Sequence, residues 1–264
     1  MSRAVFFRAL ASLALFFIAS PGAIARESAL ADLGFRARFS GLYGNVNYTS
    51  ASVTSNSTTA IGGTEWGGRV ELEKWFNNRL GMLFEGEHIS GDLNTGTVES
   101  FHGKPLAQQQ VFGALGLKLL GSSNSNASAS ELVVFAGPGI EFFSDMRSYT
   151  GKNFYDLARV NVFGARAAAR ARIAFDSHVL FEFSAAGFTP VSLLGQPKSV
   201  LQRQGTRCLL GTVSLEYLYD SGVGFGGGYF YEINRLEYQN TSDLPADTVD
   251  FNVSAPFVFV RFGF

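Results

Sequence analysis

The chain has one cysteine, Cys208. That excludes an internal disulfide, and with it the stapled scaffolds of small exported domains. Cys208 reads as a small buried apolar residue, because no His or Asn motif of a thiol enzyme stands beside it. Histidine is nearly as scarce, limited to His88, His102 and His178, and no Cys/His spacing suits a metal site. The formal net charge is only −1, so no broad attraction to nucleic acid or acidic lipid is expected. Phosphate-binding loops are missing too: Gly222 to Gly228 reads as a strand of small residues, not as a glycine loop opening a helix. No cofactor is expected. Past the N-terminus no segment offers the roughly 18 uninterrupted apolar residues of a membrane helix.

What is present is apolar content without long runs. Hydrophobic residues make up 46% of the chain, with 26 Phe and 30 Gly, a mixture that suits many half-apolar strands. A soluble β-sandwich would share that composition, and the N-terminus argues against it. Arg3 and Arg8 precede an apolar stretch from Ala9 to Ala19, followed by Pro21 and the small-residue pattern Ala23-Ile24-Ala25. This reads as a secretory signal peptide, residues 1–25, cleaved after Ala25. Residues 26–34 are expected to be a periplasmic lead and 35–264 a single domain.

Within that domain, alternation at period two recurs with one charged and one apolar face. Arg36 and Arg38 oppose Phe35, Ala37 and Phe39. In the stretch 65–76, Arg69, Glu71 and Glu73 oppose Trp66, Val70, Leu72 and Phe76. After a turn at Asn77-Asn78-Arg79, Leu80, Met82 and Phe84 oppose Glu85 and Glu87. Lys118 opposes Val111, Gly113, Leu115, Leu117 and Leu119. Stretch 131–144 is apolar on both faces, and Pro138 there predicts a bulge or bend. The Ala-rich stretch 159–173 has good helical propensity, yet strand parity gathers Arg166, Arg170 and Arg172 opposite Phe163, Ala165, Ala167 and Ala169. Glu182 and Ser184 oppose Val179, Phe181 and Phe183. Thr212, Ser214 and Glu216 oppose Leu209, Val213, Leu215, Tyr217 and Tyr219. A two-residue turn at Ser221-Gly222 leads into Val223, Phe225, Tyr229, Tyr231 and Ile233, opposite Glu232 and Asn234.

Polar connections are expected at 49–64, from 90 to about 108, 145–157, 190–205 and 239–248, alternating with short turns. The 121–130 connection is long for the short-turn side. About ten strands result, with both termini and the short turns on the periplasmic side and five loops outside. Tyr43, Tyr48, Trp66, Trp75, Tyr217, Tyr219, Tyr229 and Tyr231 are candidates for interfacial girdles.

The last ten residues are APFVFVRFGF. Val258, Val260, Phe262 and Phe264 form an apolar row that ends on the terminal carboxylate. A strand at the chain end leaves an open edge unless it pairs with the first strand and closes the sheet. This ending resembles the terminal signature of bacterial outer-membrane β-barrel proteins. The resemblance implies an all-β antiparallel up-and-down barrel in the outer membrane, with this row read by the barrel-assembly machinery. Outer-membrane lipid and lipopolysaccharide are then expected neighbours, with a possible extracellular ligand on the loops.

In lipid the apolar faces point outward and the charges line the interior. The lumen would receive Arg69, Lys118, Arg166, Arg170, Arg172 and Arg261 against Glu71, Glu73, Glu85, Glu87, Glu141, Glu182, Glu216 and Glu232. Ten strands enclose little more than their own inward side chains, so a paired network that fills the core is expected before a conducting pore. Outward Phe262 and Phe264 put Phe257 and Phe259 inside, which makes the lumen partly apolar unless Pro256 marks a bulge. A structural or surface-contact role follows, with a narrow channel as the alternative. A hydrolase is the third reading. His88-Ile89-Ser90 resembles the His-x-Ser of outer-membrane lipid A deacylases, facing the lipid, with Glu99 as a candidate acid, although Gly91-Asp92-Leu93-Asn94 departs from that family's continuation. Asp176-Ser177-His178 is similar to the Asp-x-His of omptin proteases, but falls in a short turn.

Overall fold

The computed structural model describes residues 34–52, 57–96, 104–121, 130–148, 155–175, 178–194, 200–201, 207–239 and 247–263. The expected signal peptide and most of the lead, the 176–177 turn residues and Phe264 lie outside these. The strands are β1 (Phe35–Ser52), β2 (Ser57–Trp75), β3 (Leu80–Gly96), β4 (Lys104–Gly121), β5 (Ser130–Ser148), β6 (Tyr155–Ala174), β7 (Val179–Leu194), β8 (Val200–Leu201), β9 (Arg207–Leu218), β10 (Val223–Gln239) and β11 (Asp247–Gly263).

Consecutive strands pair antiparallel, and β11 pairs with both β10 and β1. Ten strands therefore close into an up-and-down barrel, and the two-residue β8 adds a short pairing to Tyr238 and Gln239 at one rim. Closure leaves the wall without an edge, which is how an antiparallel sheet satisfies its backbone in lipid. One end of the barrel, here the terminal end, carries Phe35, Gly263 and the connections after β2, β4, β6 and β9. The other, the far end, carries the remaining five connections, β8 lying within the one that joins β7 to β9.

Most strands run 16 to 20 residues, well beyond the roughly 9–11 that cross a bilayer. Segments expected as loops are thus partly strand: β1 and β2 continue to the pair Ser52↔Ser57, and β3 continues to Gly96. Ladder bonds do not need an apolar face. The ladders continue into segments whose sequence no longer alternates, so the hydrophobic pattern ends before the pairing does.

Two expected irregularities move. Pro138 makes no bulge: the β4–β5 register is in step on both sides of it, and Pro138 pairs with Ala165 in an unbroken β5–β6 ladder. A Cβ at neighbouring Gly137 would collide with the Gly113 carbonyl, so glycine lets the strands approach where the proline cannot donate. Register shifts fall instead at Gly62/Gly63, Lys118/Leu120 and Phe163/Gly164. Pro256 likewise leaves both β11 ladders in step. The β9–β10 turn has three residues rather than two. The Tyr219 N–H donates to the Val223 carbonyl at 2.8 Å, and Gly222 N–H to the Tyr219 carbonyl at 3.1 Å. Gly222 has φ +86°, the left-handed residue of a three-residue hairpin loop.

β6 is a strand despite its alanines. Its arginines share a face only at period two, and ladders on both sides hold it there, so tertiary pairing overrides helical propensity.

Candidate functional site

The inward and outward faces are chemically inverted relative to a water-soluble barrel. Outward side chains include Leu115, Val258 and Tyr43, exposed at 74%, 70% and 64%. Buried within are Arg36, Arg38, Arg69, Arg166, Arg170, Arg172 and Arg261, together with ten glutamates. Water would solvate the charges and hide the leucines; only hydrocarbon around the wall makes this arrangement stable. The chain is a transmembrane β-barrel.

No family model matches this barrel and no curated protein matches it in sequence. Among solved structures, the outer membrane protein OprG from Pseudomonas aeruginosa is 11% identical, covers 87% of this chain and 95% of its own, and has a TM-score of 0.37. Ail, the attachment invasion locus protein of Yersinia pestis, is 10% identical over 86% of this chain and 98% of its own, with a TM-score of 0.31. An outer membrane channel from Pseudomonas putida F1 is 9% identical over 92% of this chain and all of its own, also at 0.31. Likeness at this level carries no argument about activity, so the lumen must be read from its own residues.

At the terminal end the register sets charges opposite one another: Arg36↔Glu73, Arg38↔Glu71 and Arg172↔Glu182. Some like charges also face, Glu71↔Glu85 and Arg38↔Arg261, which in a flat sheet is destabilising. The enclosed geometry resolves both. Arg69 reaches Glu71 at 2.9 Å and Glu85 at 2.7 Å. Arg38 turns from Arg261 and crosses the lumen to Glu182 on β7, at 2.6 Å, and to Ser214 Oγ on β9, at 3.1 Å. Arg261 binds Glu216 at 2.8 Å.

Glu73 is the hub. Arg172 contacts it twice, at 2.7 and 3.0 Å, Arg170 at 3.2 Å and Arg36 at 3.3 Å. Arg172 continues to Glu182 at 2.7 Å and Glu131 at 3.4 Å. Such two-pronged arginine–carboxylate contacts fix geometry as well as charge. Higher up, Arg166 binds Glu85 at 2.7 Å. Higher still, Glu232 Oε1 accepts from Gln108, Gln110 and Asn234 at 2.8, 2.6 and 2.7 Å.

Aromatic rings fill what the charges leave. Phe257 and Phe259 point inward, and the Arg38 guanidinium lies 3.7 Å from the Phe259 ring centre. The lumen is therefore partly apolar, and of the two readings of the last strand it is the one without a bulge that holds. Arg166 sits 4.9 Å over Phe112. Trp75, expected in a girdle, is buried inside and donates its Nε1–H to Glu73 at 2.6 Å. Its parity is that of Glu71 and Glu73, and parity, not the aromatic character of a residue near a strand end, sets its direction. Tyr43, Trp66, Tyr217, Tyr219, Tyr229 and Tyr231 do face outward; the Tyr48 side chain lies outside the described residues.

Arg36, Arg38, Glu65 and Glu131 also line the lumen, beyond the set expected from sequence. Parity alone would have found the first two; Glu65 and Glu131 sit where the apolar alternation begins. Val258, Val260 and Phe262 form the outward row of β11, while Phe264 lies outside the described residues. On the outer wall, His88 Nδ1 lies 3.0 Å from Gln109 Nε2, and Ser90 pairs across from Trp66. Glu99 and Asp176 lie outside the described residues. His178 stacks on Tyr217 with ring centres 5.6 Å apart.

Proposed function

We propose that the chain is a non-enzymatic outer-membrane protein whose lumen is filled by its own paired side chains and whose activity resides in its far-end connections as surface contact. The observation that carries this is the cross-lumen tie from Arg38 to Glu182, 144 residues apart in sequence. It sits directly on the path a solute would take. Beside it, the void bounded by Arg38, Ser40, Arg69, Thr212 and Phe230 amounts to about 10 Å³, barely the space of one water. Three of the four connections at the terminal end are only four residues long, and Phe35 and Gly263 lie there; both features support a periplasmic terminal end. On this reading the wall meets outer-membrane lipid and lipopolysaccharide, the β11 row meets the barrel-assembly machinery, and the ligand is extracellular.

The test is electrical. Purified, refolded protein added to planar bilayers is expected to give no discrete unit conductance. Reproducible steps would sink the filled lumen and favour a narrow channel for small solutes.

A further inference from the structure

Charge is not spread evenly along the lumen. Near the terminal end each of Glu71, Glu73, Glu131, Glu182 and Glu216 has a cation within 4.0 Å. Toward the far end stand Glu65, Glu87, Glu141 and Glu232, all buried. Among the described residues their one such contact is Arg69 to Glu87, at 3.9 Å. Arg69 and Arg166 make their short contacts to Glu85 instead.

The same region holds orphaned oxygens. Both oxygens of Glu65, both of Glu87, Oε2 of Glu141 and Oε2 of Glu232 accept no hydrogen bond, and neither do Oε1 of Gln108 or Oδ1 of Asn234. Gln108 and Asn234, each 1% exposed, turn their amide nitrogens to Glu232 Oε1. Their carbonyl oxygens are thereby left within the carboxylate group without a donor. An amide flip offers no relief, since it would set oxygen against carboxylate. The orphaned arginine donors are Nε of Arg36, Arg38 and Arg69, of which only Arg69 borders this region. Buried carboxylates without a countercharge cost several kcal/mol each, a cost removed either by protonating them or by a cation taken up from solution.

We propose that the far half of the lumen binds a divalent cation of the calcium or magnesium class. Carboxylate and amide-carbonyl oxygens, without sulfur or imidazole, are the donor set of such hard ions. Among the described residues no three acidic, His or Cys side chains converge on one point, so the ion keeps part of its water shell and contacts several of these oxygens through it, as magnesium commonly does. The inference stands on closure and the placement of these side chains, and not on whether the lumen conducts.

The experiment uses the refolded full barrel in detergent, stripped with EDTA and titrated with calcium, magnesium or potassium chloride at matched ionic strength. Calcium or magnesium should raise the thermal midpoint saturably, by about 2–4 °C or more above potassium, with close to one ion per chain in equilibrium dialysis. The double variant Glu65→Gln/Glu232→Gln should bind no ion and lose the response, whereas Glu216→Gln, in the paired terminal half, should keep both. Should the double variant not fold, Gln108→Leu should weaken the response about tenfold. No divalent-specific rise, a response retained in the far-half variants, or stabilisation by putrescine and neither metal would each overturn the proposal.

Discussion

Glu73 shows how a single side chain serves this interior. Three arginines and the Trp75 indole converge on its two oxygens, so every lone pair that burial takes from water is repaid by a charged or N–H donor. Glu73→Leu leaves Arg36, Arg170 and Arg172 short of a countercharge and should cost about 3–5 kcal/mol. By contrast Glu237, in a pair with Arg235 that is about one-third exposed, should cost under about 1 kcal/mol as Glu237→Gln. Urea unfolding in lipid vesicles, followed by tryptophan fluorescence, compares them; equal losses would mean that the lumen is wet and the pairs screened. The inward direction of Glu73 was legible from parity, because period two is a local property of an extended chain. Its partnership with Arg172, 99 residues away, was not, because that contact exists only across a closed lumen.

Among elements, β11 decides whether there is a barrel. It pairs with β10 from Asp247 to Phe262 and with β1 at both ends of its length, and its outward row includes Val258, Val260 and Phe262. Deleting Phe264 should leave the ladders intact yet slow assembly, read as loss of the folded, heat-modifiable band on an unboiled gel of membranes. A normal band would remove the terminal residue from the assembly signal. The existence and parity of the strands were legible in their alternation, including Ala-rich β6. Their ends were not, since pairing persists beyond the point where lipid demands an apolar face. Pro138 misled for a related reason: the cost of a missing N–H depends on what the neighbouring strands do, and there, as at Pro256, the neighbours keep step.

For the whole molecule, the proposed orientation carries its own test. Protease added to intact cells should cut in the connections 195–199 and 240–246, and leave the Asn77-Asn78-Arg79 and Asp220-Ser221-Gly222 turns untouched until the outer membrane is opened. Cleavage at Arg79 on intact cells would invert the barrel and move the proposed contact surface to the other side.

The sequence by itself determined that this chain makes strands with one greasy and one charged face and that the last of them needs a partner, because alternation and an unpaired edge are local, covalent facts. Only the tertiary structure decided which charges meet and which do not. Coulomb pairing depends on distances across the lumen, set by closure and stagger, and those leave the arginines crowded at one end and four carboxylates waiting at the other.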